Sequence, residues 1–134
     1  MTSNQFIGYV LNQTSAITNI VSTRIYHGLR PTGSTVPSIN YYEVGGAEYK
    51  YGIIAEPFSL NCRASTSQGA RSLALQVINL FHGAAFSGIY GVMNNFTVSR
   101  CSLRSDGGLI PEPEENIFNC PIDILLVYES NIIS

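Results

Sequence analysis

Residues 58–83, FSLNCRASTSQGARSLALQVINLFHG, carry one strand straight into one helix, and that junction limits the folds open to the chain. Phe58, Leu60 and Cys62 alternate with Ser59, Asn61 and Arg63, the two-residue period of a strand with one face toward a core. Ser65, Thr66 and Ser67 then offer side-chain oxygens to the orphan amides of a helix start. Ala70, Leu73, Ala74, Val77, Ile78 and Phe81 recur at the three-and-four spacing of a single buried helical face, and Gly83 supplies a stop.

The flanking segments are read by the same periods. Residues 3–21 begin with Ser3 as a cap and place Phe6, Ile7, Val10, Leu11, Ile17, Ile20 and Val21 in an imperfect helical pattern, weakened at Thr14 and Ser15. One helix is expected to about residue 20, followed by a short extended piece around Arg24 to Tyr26. Pro31 and Gly33 mark 28–37 as a loop. Ile39, Tyr41, Tyr42 and Val44 predict a strand from Ser38 to Val44. Gly45-Gly46 is expected to turn it back into a second strand, from Glu48 to Arg63, with a bulge near Pro57.

Beyond the central helix, residues 84–93 are Gly-rich and show no clear period. Asn95 to Leu103 reads as a strand with Phe96 and Val98 on one face and a phase shift at Arg100-Cys101. Ser105 to Asn116, SDGGLIPEPEEN, reads as a loop whose prolines forbid regular pairing. Ile117 to Tyr128 is the last strand. Phe118, Cys120, Ile122, Ile124, Leu126 and Tyr128 share one face, and Leu125 and Val127 lie opposite, so the strand is expected to be buried on both sides near its end. The predicted order, α-β-β-α-β-β, gives one domain over residues 1–134. It is an α+β two-layer sandwich with two helices packed on one face of a mainly antiparallel four-stranded sheet. The other sheet face is left to present Tyr, Ser, Asn and Arg to solvent or to a neighbour.

Charge narrows the function classes. Only 12% of residues are charged, about half the usual share, while 45% are hydrophobic. A surface this short of solubilising charge points to a subunit whose sides are covered by neighbours. The net charge is −2, and the seven basic residues are scattered from Arg24 to Arg104 without a cluster. Sequence-independent grip on phosphates is therefore excluded, although a neutral or acidic lumen could let DNA pass unheld. No apolar run approaches the roughly 20 residues needed to span a bilayer, and the polar N-terminus from Thr2 to Gln5 does not read as a signal peptide. Cys62, Cys101 and Cys120 lack a metal-ligand spacing and read as reduced thiols that fill the core.

The chain offers little for chemistry. His27 and His82 are the only imidazoles, each followed by Gly, and a Cys62/His82 pair has no local signature. His82 in a last helical turn is explained by the helix dipole, and His27 by a loop hydrogen bond. No phosphate-binding loop is present, and no cofactor is implied. Glu112, Glu114 and Glu115, interleaved with proline, read as a solvated segment rather than a cation site. Binding surfaces are better represented. Tyr41, Tyr42, Tyr49 and Tyr51 flank the Gly-Gly turn, where alternation sends two of the four to the core and leaves the others for an adjacent subunit. Glu112, Glu114 and Glu115, with Arg100 and Arg104, form the second candidate interface, through charge pairing with a neighbour.

Two segments resemble the phage tail-completion, or tail-terminator, family. One is Arg63-Ala64, Thr66, Ala70, Leu73-Ala74, Val77 and Phe81-His82-Gly83; the other is RIYHGLRPTGSTVPSINYYEV, with its Arg-Ile-Tyr, Gly/Pro-rich connection and following strand. The matching segments cover about two thirds of the chain in the family's order. The resemblance implies a non-enzymatic virion protein: a homo-oligomeric ring, usually of six copies, that caps the tail tube and joins it to the neck. Its partners would be the tail tube protein and a neck or head-completion protein, with DNA passing through the lumen. A neck or head-closure connector is the nearest alternative, and a small cytosolic α+β enzyme or ligand-binding domain the remote one.

Overall fold

The computed structural model describes residues 2–31, 33–82, 92–93 and 96–130. The strand-to-helix junction folds as its sequence dictates. Strand β4 (Ile53–Ala64) ends at Thr66, whose side chain accepts from the Gly69 amide at 3.0 Å, and helix α3 (Ser67–Phe81) follows. Its apolar face buries Ala70, Leu73, Ala74, Val77 and Phe81. The expected stop at Gly83 lies outside the described residues; the last cap described is His82, whose amide donates to the Ile78 carbonyl.

The single expected N-terminal helix is two. Helix α1 (Ser3–Gln13) opens with a reciprocal Thr2/Gln5 capping box and stops at Thr14, where helix α2 (Ser15–Val21) begins. The Thr14 hydroxyl donates back to the Val10 carbonyl at 2.7 Å, offering the backbone a local alternative to a continuous helix.

Among the described residues the sheet has eight strands rather than four. Its path runs β1 (Ile25–His27), β2 (Ser38–Glu43), β4, β8 (Ile117–Ser130), β6 (Phe96–Asp106), β5 (Val92–Met93); β3 (Glu48–Lys50) adds to β4 and β7 (Ile110–Glu112) to β8. Among the described strands only the β1–β2 pair is parallel. The four strands expected from sequence are the long ones, β2, β4, β6 and β8. Strand β1 matches the extended piece expected near Arg24 to Tyr26, β3 lies inside the single strand expected from Glu48 to Arg63, and β7 lies in the segment expected to be a loop.

Strands β2 and β3 both run antiparallel to β4, so Gly45-Gly46 does not reverse the chain. The reversal is at Tyr51-Gly52, where both residues adopt positive φ, 55° and 79°, in a two-residue hairpin turn. Likewise β6 and β7 both run antiparallel to β8, and the reversal follows Glu112. Pro111 pairs there with Phe118 on an edge strand, where a missing N–H is tolerated.

The prolines of the two central strands now have a common explanation. The Pro57 carbonyl accepts from the Val44 amide at 3.1 Å, so its missing N–H faces the junction where β4 changes partner from β3 to β2. Pro121 accepts from Gly107 at 2.9 Å and faces the corresponding junction between β7 and β6. Neither position is bulged in the β4–β8 ladder. The register shifts lie instead in β6, between Val98 and Arg100 and between Leu103 and Ser105, which is the phase change read at Arg100-Cys101.

One face of the sheet meets the helices. Phe58, Leu60 and Cys62 of β4 stand opposite Ile124, Ile122 and Cys120 of β8, and all are buried with Leu73, Val77 and Phe6. Each large side chain removed from water in this way contributes roughly 1.5–3 kcal/mol. At the sheet end, Glu56 accepts from Ser3 Oγ at 2.5 Å and from Tyr128 Oη at 2.8 Å, which puts an acid beside the amide-rich start of α1.

Candidate functional site

The opposite sheet face is polar by strand alternation. Ser38, Arg63 and Asn119 lie directly across β2, β4 and β8, and Asn40 stands opposite Asn61 one pleat further on. Ser38, Asn40, Asn61 and Asn119 are nevertheless buried, although the helices lie on the other face. The 28–37 loop and the turn after β7 fold over them. Asn40 Nδ2 donates to the Gly28 carbonyl at 2.9 Å, and Arg63 bridges Asn40 Oδ1 to Glu112 Oε1, the latter at 2.8 Å. Arg30, its side chain only 8% exposed, donates to the Ser34 carbonyl at 2.8 Å and to Glu115. Asn119 Nδ2 donates to Asn61 Oδ1 at 3.0 Å. Ser38 Oγ and Asn119 Oδ1, on either side of Arg63 in the register, are buried without a hydrogen-bond partner among the described residues.

This face bears two recesses open to solvent. One, about 290 Å³, is polar and includes Arg30, Asn40, Asn61, Arg63, Glu112 and Glu115 among its lining residues. The other, about 530 Å³, opens beside it between Val36 and Ile117, with Ser34, Arg30 and Glu115 at its walls. Of the side chains that build the polar network, Glu112 and Glu115 are sequence-expected interface residues, whereas Arg30, Asn40, Arg63, Asn61 and Asn119 are not. The available signal was the run of polar residues at alternate positions of two successive strands, Ser38/Asn40/Tyr42 and Ser59/Asn61/Arg63.

The residues expected at interfaces are dispersed. Tyr41 is buried at 7% exposure, on the helix face beneath α1, where its hydroxyl comes close to Gly8. Tyr42 lies half exposed on the open face, and Tyr49 and Tyr51 are exposed at the β3–β4 hairpin, at 69% and 92%. Arg100 and Arg104 are exposed on β6. Glu112 and Glu115 find their arginines, Arg63 and Arg30, within the chain, while Glu114 is exposed in the turn between them.

The groups that could do chemistry are held apart. His27 Nε2 lies 2.8 Å from Glu43, with its ring against Tyr41, whereas His82 Nδ1 accepts from the Leu103 amide at 3.2 Å. All three thiols are buried. Burial pushes the Cys101 thiol up to about 12, against a weaker opposing hydrogen bond from the Ser102 backbone. Burial, and then the neighbouring Cys120, likewise raise Cys62. A thiol so raised is protonated at neutral pH and is a poor nucleophile. Asp106 loses solvation, which raises its pKa, but the hydrogen bond and charge of Arg71, 2.5 Å away, with the Gly108 amide, hold it below the usual carboxylate value. Among the described residues, no three His, Cys, Asp or Glu side chains converge as a metal site.

No protein family and no curated protein matches the sequence. The fold does have solved counterparts. One is a chain of the virion of native gene transfer agent (GTA) particle, with a TM-score of 0.69 over 92% of each chain at 13% identity. At that identity the likeness establishes the shared fold.

Proposed function

We propose that this chain is a structural subunit of a phage-like virion, and within it a tail terminator that closes into a ring on the tail tube and joins the tube to the neck. The observation that carries the reading is the fold likeness to a virion chain over 92% of both molecules. The two tail-completion segments fall on elements with defined roles in that fold. One is the β4–α3 junction; the other is β1, the 28–37 loop and β2, which build the covered polar face. The terminator role, the ring and its partners are supported by those segments and by the charge economy of the chain.

A ring of this kind needs no reacting groups. Its work is binding: copies meet head to tail through a rotation that closes, leaving two faces for different partners. With a net charge of −2, the lumen lets DNA pass without holding it. Electron micrographs of particles assembled without this protein test the reading. Overlong tail tubes are expected; tubes of normal length that lack heads would refute termination and assign a connector role instead.

A further inference from the structure

Tyr51 sits in a backbone conformation that suits another residue. It is the first of two central residues of the β3–β4 turn, at φ 55°, where Asn, Asp or Gly is favoured and a bulky side chain is an outlier. Its ring is 92% exposed, with the Lys50 ammonium 5.7 Å over its face. Among the described residues Lys50 forms no ion pair. The turn therefore presents an aromatic ring and an uncompensated cation to whatever lies outside the molecule.

A complementary recess exists on the same chain, out of reach. The cavity of about 530 Å³ has apolar walls in Val36 and Ile117 and polar ones in Ser34, Arg30 and Glu115. Glu114, exposed and without an ion pair among the described residues, stands in the turn beside it. Strand β4 leads from the Tyr51-Gly52 turn toward this recess. It has twelve residues, a span of about 35 Å. The turn cannot fold back into its own cavity, but it can enter that of another molecule.

We infer that the Lys50-Tyr51 turn of one copy docks into the cavity beside Ile117 of a second copy, placing the Tyr51 ring against Val36 and Ile117 and the Lys50 ammonium near Glu114. The two surfaces lie at opposite ends of the central strands. The contact is thus head to tail, the type that builds a closed ring. It rests on the ring reading above and specifies which surfaces make that ring. Charge complementarity favours a second copy, because the unpaired Lys50 is matched by Glu114, which is exposed and next in the chain to Glu115 of the recess wall.

Sedimentation equilibrium of the purified full-length protein tests the contact. Wild type is expected to self-associate. Tyr51→Asn should weaken association by about tenfold or more without lowering the melting temperature, because Asn suits the left-handed turn. Lys50→Glu and Glu114→Lys should each weaken association by about threefold or more, and their combination should restore it. Monomeric wild type at every concentration, a Tyr51→Asn protein that associates like wild type, or a charge swap that fails to restore association would each overturn the contact. The ring reading is judged separately, by tail length in particles lacking the protein.

Discussion

Replacing Arg63 with Met keeps an apolar stem in place while removing the guanidinium that ties two strands to the β7 segment. The guanidinium serves two partners in very different surroundings. Asn40 is 4% exposed, and loss of the donor to its Oδ1 leaves a buried acceptor unsatisfied, a cost of about 1–3 kcal/mol. The Glu112 carboxylate, with its side chain 33% exposed, can recover water, so that ion pair contributes only about 0–1 kcal/mol after screening. The expected loss is about 2 kcal/mol, or about 6–10 °C in melting temperature for a chain of this size. Equilibrium urea denaturation measures it, and a double-mutant cycle apportions it. Coupling of Arg63 to Asn40 should exceed coupling to Glu112. Because salt screens only the exposed pair, most of the loss should persist at about 0.5 M NaCl. A loss below about 0.5 kcal/mol, or one abolished by salt, would refute the assignment of Arg63 as the buried tie of the polar face.

Three further outcomes follow from the packing. A Cβ added at Gly8 would lie 2.4 Å from Tyr41 Oη and 3.2 Å from Cζ. Gly8→Ala should therefore destabilise by about 1 kcal/mol, as overpacking outweighs the gain in helix propensity, and most of that cost should vanish in a Tyr41→Phe background. Tyr51→Asn should stabilise the monomer by about 1 kcal/mol by relieving the left-handed backbone, seen as a higher urea midpoint; an unchanged or lower midpoint refutes the strain argument. Alkaline pH should unfold the protein progressively. Burial raises Cys62, Cys101, Tyr41 and Tyr128, with Cys101 moved from 9.0 to about 12. The unfolded chain loses these protons first, so stability present below about pH 9 declines as pH rises toward 12. A urea midpoint constant over that range would show that these groups are not buried.

What could be read beforehand was whatever a local period encodes. The α3 face from Ala70 to Phe81, the cap at Thr66 and the alternation of β4 and β8 were legible because each follows from spacing within one element. Of the short strands, β1 was legible as an extended piece near Arg24 to Tyr26, but β3 and β7 were not legible as separate strands. Strand β3 is three residues, all exposed, and gains its hydrogen bonds from β4, so nothing in Glu48-Tyr49-Lys50 itself marks a strand end two residues before a reversal. The Gly45-Gly46 pair has the composition of a hairpin turn, but both its glycines adopt positive φ within a connection that keeps direction. Strand β7 escaped for the opposite reason: Pro111 reads as a breaker, yet on an edge only one side of the backbone must pair. The polar network on the open face was half legible. Alternation placed Asn40, Asn61 and Arg63 together, but their burial depends on the 28–37 loop folding back, a contact between Asn40 and the Gly28 carbonyl that no sequence period records.

That folding back also changes what the low charge content means. Of seven basic residues, Arg30, Arg63 and Arg71 are held in ion pairs with Glu115, Glu112 and Asp106, and Arg24 donates to the carbonyls of Pro37 and Ile20. Lys50, Arg100 and Arg104 remain as cations without an ion pair among the described residues. Lys50 lies at the β3–β4 turn and the other two on β6, so no phosphate backbone could be followed by adjacent cations. The acids of the 112–115 segment, expected from sequence to reach for a neighbour, mostly close the chain's own polar face. Within that segment only Glu114 is left exposed without an ion pair among the described residues, free for the inferred contact with Lys50 of a second copy. In the proposed ring, contacts between copies would rest on a few exposed aromatic and apolar side chains, with single charges setting their register. It suits the proposed ring, in which subunits meet closely and a charged polymer slides past.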